Sequence, residues 1–182
     1  MKRILKIVMI LALMTSGLSC VERQDFDQYQ DLDIIPKVPA SLLYYEVSET
    51  ALNNAPIGVP FSEDYNFDAF NEDFIADRII EGSIAYEIVN TTSKPVDIVV
   101  TFLDENDREL DFTDFSVAAA TSEPFVLEKT VAYNQADTQR VVKNISSIRI
   151  RVINRGDNTS QSSLKDPKVI FKSSAEFKVR LK

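Results

Sequence analysis

Residues 83–110 read "SIAYEIVNTTSKPVDIVVTFLDENDREL", and their period is two. Ile84, Tyr86 and Ile88 fall on one side of an extended chain, and Ser83, Ala85 and Glu87 fall on the other. "NTTSKP" (90–95) is a cluster of turn residues. Val96, Ile98, Val100 and Phe102 then repeat the pattern, and "DENDR" (104–108) makes a second turn. One apolar and one polar face per run is what an antiparallel strand with one side on a core requires.

The same pattern extends both ways. Residues 41–47 and 109–117 are short strand candidates. Residues 124–133 place Phe125, Leu127 and Val131 at even steps. Residues 146–154 set Ile148, Ile150 and Val152 against Arg149 and Arg151, and residues 168–182 set Phe177, Val179 and Leu181 against Lys178, Arg180 and Lys182. These runs predict an all-β domain over 40–182, an antiparallel two-sheet sandwich of about seven strands. Helical spacing is confined to Phe67, Phe70 and Phe74, and to 137–144 with Asp137 as N-cap. In pattern, 83–110 is similar to the adjacent-strand core of immunoglobulin and fibronectin type III modules, without their Cys–Trp–Cys signature. That resemblance implies an immunoglobulin-like sandwich.

The first residues carry a different message. Lys2, Arg3 and Lys6 precede the apolar run Ile7–Met14, and "TSGLSC" (15–20) follows. A basic head, a short apolar stretch and a small-residue exit describe a secretory signal peptide over 1–19. The apolar run is too short to span a bilayer, which takes about 20 residues. Cleavage before Cys20 fits ordinary secretion. The same stretch resembles the lipobox of bacterial lipoproteins of the Bacteroidota type, with Gly17 where that family usually has Leu. The resemblance implies a lipid attached to Cys20 and a location at the outer membrane, on its periplasmic or cell-surface face. Cys20 is the only cysteine of 182 residues, so it has no intrachain disulfide partner. Residues 20–39, acidic and ending in Pro36 and Pro39, read as the lipidated N-terminus and a flexible tether, on the order of 25 Å as a random coil.

Composition narrows the function. Without residues 1–19 the chain has 163 residues, a one-domain size. The whole chain carries −8, and loss of the three leader cations brings it to −11. That charge repels nucleic acid and anionic lipid, and neither is expected as a partner. The absence of His removes the commonest general base and transition-metal ligand. With Cys20 carrying lipid, no nucleophilic triad or typical zinc site can be assembled. We therefore expect no enzymatic activity, no cofactor and no metal centre.

The motifs that remain are weak. Asp64, Asn66, Asp68 and Glu72 occupy calcium-loop positions, but Ala69 and Ile75 stand where that loop needs Gly and Glu. "RGD" (155–157) reads as a turn in the polar loop 154–167. The aromatic cluster Phe61, Tyr65, Phe67, Phe70 and Phe74, interleaved with acids, is the candidate contact for a protein partner or a glycan. The basic outward side of the last strand is a second candidate contact. The expected function is that of a membrane-anchored envelope lipoprotein, accessory or structural, contacting an outer-membrane or periplasmic protein. The alternative is a glycan- or cation-binding surface module.

Overall fold

The computed structural model describes residues 34–67 and 78–181. Eight strands form two four-stranded antiparallel sheets. In chain order they are β1 (Lys37–Ser48), β2 (Phe61–Asn66), β3 (Ile79–Asn90), β4 (Val96–Leu103), β5 (Glu109–Val117), β6 (Phe125–Tyr133), β7 (Ser147–Asn154) and β8 (Lys168–Val179). Two single-turn helices, α1 (Glu49–Asn54) and α2 (Gln135–Arg140), and a 3-10 turn (Val142–Asn144) lie in the connections. The two-sheet antiparallel sandwich expected from the period is what the chain forms.

The connectivity corrects the immunoglobulin resemblance. One sheet runs β1-β8-β3-β6 and the other β2-β7-β4-β5. Strand pairs 1–8, 2–7, 3–6 and 4–5 make one long antiparallel ribbon, closed on itself by the β3–β8 and β4–β7 ladders. An immunoglobulin sandwich groups strands ABED and CFG. The order found here is that of an eight-stranded jelly roll. The additional strand is β2, which the sequence reading left as an aromatic, acidic stretch.

The alternation in 83–110 is realised residue by residue. Ile84, Tyr86 and Ile88 on β3 and Val96, Ile98, Val100 and Phe102 on β4 are all buried. Ile148, Ile150 and Val152 on β7 join them from β4's own sheet. Between the sheets, the Tyr86, Phe115 and Phe171 rings meet at centroid distances of 5.2, 5.9 and 6.2 Å in edge or tilted geometry. Asp104 accepts the Asn106 and Arg108 amides and so builds the β4–β5 turn with its own side chain.

Three local expectations shift. The stretch read as tether ends earlier, since β1 begins at Lys37 and Pro39 pairs with Glu176 inside it. Proline is tolerated there because β1 is an edge strand and its missing N–H faces no neighbour. Helix α2 starts before 137, capped by Asn134, whose side chain accepts the Asp137 amide. Leu181 lies past the end of β8 and, although it continues the row of Phe177 and Val179, is exposed.

Candidate functional site

Strand β2 is six residues long and pairs only with β7. Its register sets Phe61, Glu63 and Tyr65 opposite Val152, Ile150 and Ile148, which are all buried. Phe61, Glu63 and Tyr65 therefore point inward, but at the sheet edge, where burial is incomplete. Across the gap between sheets, β1 turns Tyr45 and Val47 inward after a bulge at Ser41/Leu43. The two edges bound a cleft of about 630 Å³, lined by Tyr45, Phe61, Glu63, Asp166 and Lys168 among others.

The electrostatics of the cleft follow from Glu63. The Tyr65 hydroxyl donates to Glu63 Oε2 at 2.6 Å. Burial, and then that carboxylate, pushes the Tyr65 phenol up to about 12. Burial and the same charge raise Tyr45. Both phenols stay neutral at physiological pH and serve as hydrogen-bonding groups on apolar rings. At the rim, Lys168 Nζ donates to Glu46 at 2.9 Å, and the Tyr44 hydroxyl donates to the same carboxylate at 2.8 Å. The Lys168 bond, followed by the Tyr44 bond, holds Glu46 below its ordinary range. This arrangement offers aromatic surface and a carboxylate acceptor; it is suited to binding.

The structure divides the sequence-predicted residues. Phe61 is half-buried in the cleft wall; Tyr65, also half-buried, is linked to the cleft through its bond to Glu63. Phe67 is 8% exposed and belongs to the core, so it offers no ring face to a partner. Phe70, Phe74 and Cys20 lie outside the described residues, as do Asp68 and Glu72. Asp64 is held by Arg149 through two bonds of 2.7 Å, which commits both its oxygens to an ion pair. Among the described residues, no group of three or more His, Cys, Asp or Glu could hold a metal ion. The basic outward side of β8 is not a free strip: Lys168, Lys172 and Lys178 pair with Glu46, Glu87 and Glu81 of neighbouring strands.

A polar network at the end of the sandwich where β1 finishes was not anticipated. Lys94, in the β3–β4 turn, is buried, and its ammonium donates to Asp157 Oδ1 at 2.7 Å and to the Ser160 carbonyl at 2.8 Å. Glu49, at the start of α1, is also buried and accepts the amides of Ser93 and Ser162 and the Ser93 hydroxyl. Asn90 donates to the Lys94 and Ala118 carbonyls. Together these groups tie α1, the β3–β4 turn and the loop before β8 to one another. The "RGD" triplet is consumed here: Arg155 pairs with Asp97 at 2.6 Å, and Asp157 faces Lys94. A lysine in a turn ordinarily reads as solvated, and nothing in the turn's sequence marks this one as buried.

No described helix is long and apolar enough to cross a membrane. No family model matches the chain. No curated protein matches it. Among solved structures, the VP2 subviral particle of infectious bursal disease virus is similar over 80% of this chain and 33% of its own, at 12% identity and a TM-score of 0.45. A predicted secreted protein from Parabacteroides distasonis is similar over 69% of this chain and 40% of its own, at 19% identity and a TM-score of 0.46. Tailspike protein 4 of bacteriophage CBA120 covers 80% of this chain and 18% of its own, at 8% identity and a TM-score of 0.37. The chain thus spans well under half the length of each structure it resembles.

Proposed function

We propose that this protein is a lipid-anchored cell-envelope protein without catalytic function, held at the outer membrane through Cys20, whose sandwich contacts a protein partner at the β1–β2 cleft. The observation that supports the contact is the placing of Phe61 and Tyr65. Both rings occupy inward positions of an edge strand yet remain half exposed, with Glu63 between them. Amphipathic rings beside a fixed hydrogen-bond acceptor are typical anchors of protein interfaces. The anchor rests on the leader pattern and the single cysteine; two or three acyl chains hold a protein firmly where one does not.

Crosslinking from a photoreactive group at position 61, in envelopes of the native host, tests the contact. A discrete adduct that disappears in the Glu63→Ala variant is expected. Recovery of the protein alone, repeatedly, counts against a partner. The second reading is a glycan-binding module, favoured by the same rings, since aromatic faces stack on sugars. Saturation-transfer NMR with envelope oligosaccharides separates the two readings: transfer to sugar protons that is lost in Phe61→Ala supports the glycan.

A further inference from the structure

We infer that the end of the sandwich at which the chain enters β1 rests directly on the lipid bilayer, an inference built on the reading of Cys20 as the anchor. The chain enters as an addition to the β1–β8 ladder: the Val179 amide donates to the Pro36 carbonyl and the Leu181 amide to the Ile34 carbonyl. That register continues the Val38–Phe177 pairing, so Ile34, Val38 and Leu181 follow the row that buries Phe177 and Val179. The row outlasts its cover. Ile34 is 53%, Val38 45% and Leu181 52% exposed, and Ile35 beside them is 42% exposed. Three large apolar side chains of one row form a patch that water disfavours, and Ile35 adds a fourth on the alternate face at the same end.

Two observations assign lipid as the occupant. The first is where the chain leads. Ile34 follows Cys20 by 14 positions, and even a fully extended chain of that length reaches no more than about 50 Å. The patch is therefore the part of the described structure nearest, along the chain, to the modified sulfur. The locked loops around Lys94 lie at the other end of the strands. The second is charge. The protein is acidic, but this end of β1, β3 and β8 carries Lys37, Arg78, Lys178 and Arg180 against Glu81 and Glu176. Glu176 pairs with Lys37 and Glu81 with Lys178. Apolar residues framed by cations match the boundary between acyl chains and headgroups. The attraction is confined to this edge, since the β4–β5 turn at the same end carries Asp104, Glu105, Asp107 and Glu109.

The experiment uses the lipidated protein in vesicles of phosphatidylethanolamine and phosphatidylglycerol. An acylated Cys20 is blocked, so Val38→Cys, Leu181→Cys and Ile57→Cys each supply one free thiol for an environment-sensitive fluorophore. Ile57 is exposed and lies in the loop before β2, at the end near the locked network. The expected result is a blue shift and loss of most emission to a lipid-borne quencher for probes at 38 and 181, with neither change for the probe at 57. Probes at 38 and 181 as wet as the probe at 57 overturn the inference. So does equal shielding in the Cys20→Ser protein without vesicles, which means that the chain covers the patch itself. Failure of the anchor is separate: an otherwise unaltered protein that takes the label at Cys20 carries no lipid there.

Discussion

Lys94 Nζ lies 2.7 Å from Asp157 Oδ1, and the lysine side chain is 1% exposed while that of its partner is 55% exposed. The pair is asymmetric: the cation depends on the anion far more than the reverse. Asp157→Ala leaves a buried ammonium with the Ser160 carbonyl but without its carboxylate, and should be destabilising. Lys94→Met removes that charge, keeps the volume, and leaves an aspartate that water and the Ser160 hydroxyl still satisfy. Urea unfolding should show Asp157→Ala to be clearly the less stable variant. The opposite order would show that the network is not organised around the lysine.

The same network sets a dependence on pH. Asp157 is held far below its ordinary value of 3.8, by the Lys94 bond first and then by the Ser160 and Thr159 groups. For Glu49, burial pushes upward, but the Ser162 and Ser93 amides, the Ser93 hydroxyl and the Lys94 charge outweigh it and hold it below 4.5. A folded-state value below the unfolded one gives stability that is present above the unfolded value and is lost progressively as pH falls toward the folded one. The urea midpoint should therefore drop from about pH 5 down to about pH 3 and go on falling below it. An Asp157→Asn, Glu49→Gln double variant, weaker at neutral pH, should show a flatter profile over that interval. An unchanged slope would assign the loss to other acids.

Gly82 is needed for space. A Cβ there would run into the Phe177 ring of the adjacent strand β8. Gly82→Ala should cost about 1–3 kcal/mol by overpacking, whereas alanine normally favours a strand more than glycine does. Gly82→Ala combined with Phe177→Leu should recover part of the loss in thermal melting; no recovery would mean that the ring is not the obstacle.

The cleft and the core should respond differently to truncation. Phe61→Ala removes a half-exposed ring, so partner capture should fall while the melting temperature changes little. Phe171 is fully buried in the aromatic cluster, and Phe171→Ala should cost about 3–5 kcal/mol. If Phe61→Ala leaves capture intact, the contact lies elsewhere on the surface.

Cys20→Ser should move the protein from the membrane fraction to the soluble fraction after cell breakage. Retention in membranes would show an attachment other than acyl chains on that sulfur.

Alternation of apolar and polar residues sufficed to locate seven of the strands, because side-chain direction along a strand is a local property with a period of two. Residues 109–117 match their strand end to end. Strand β2 escaped because its inward row reads Phe61, Glu63, Tyr65: at an edge the inner face is only half dry, and a carboxylate survives there. The jelly-roll order was invisible for another reason. Pairing β1 with β8 or β2 with β7 joins segments more than eighty residues apart, and no local pattern encodes which distant ladder wins. The site divides in the same way: Phe61 and Tyr65 stood out by residue type, but only the packing of two edges set Phe61 in a cleft, with Tyr65 bonded to its Glu63, and sent Phe67 to the core. Lys94 became a buried cation only when the loop after β7 folded over it, since burial belongs to the assembled sheets and not to the turn that carries the residue.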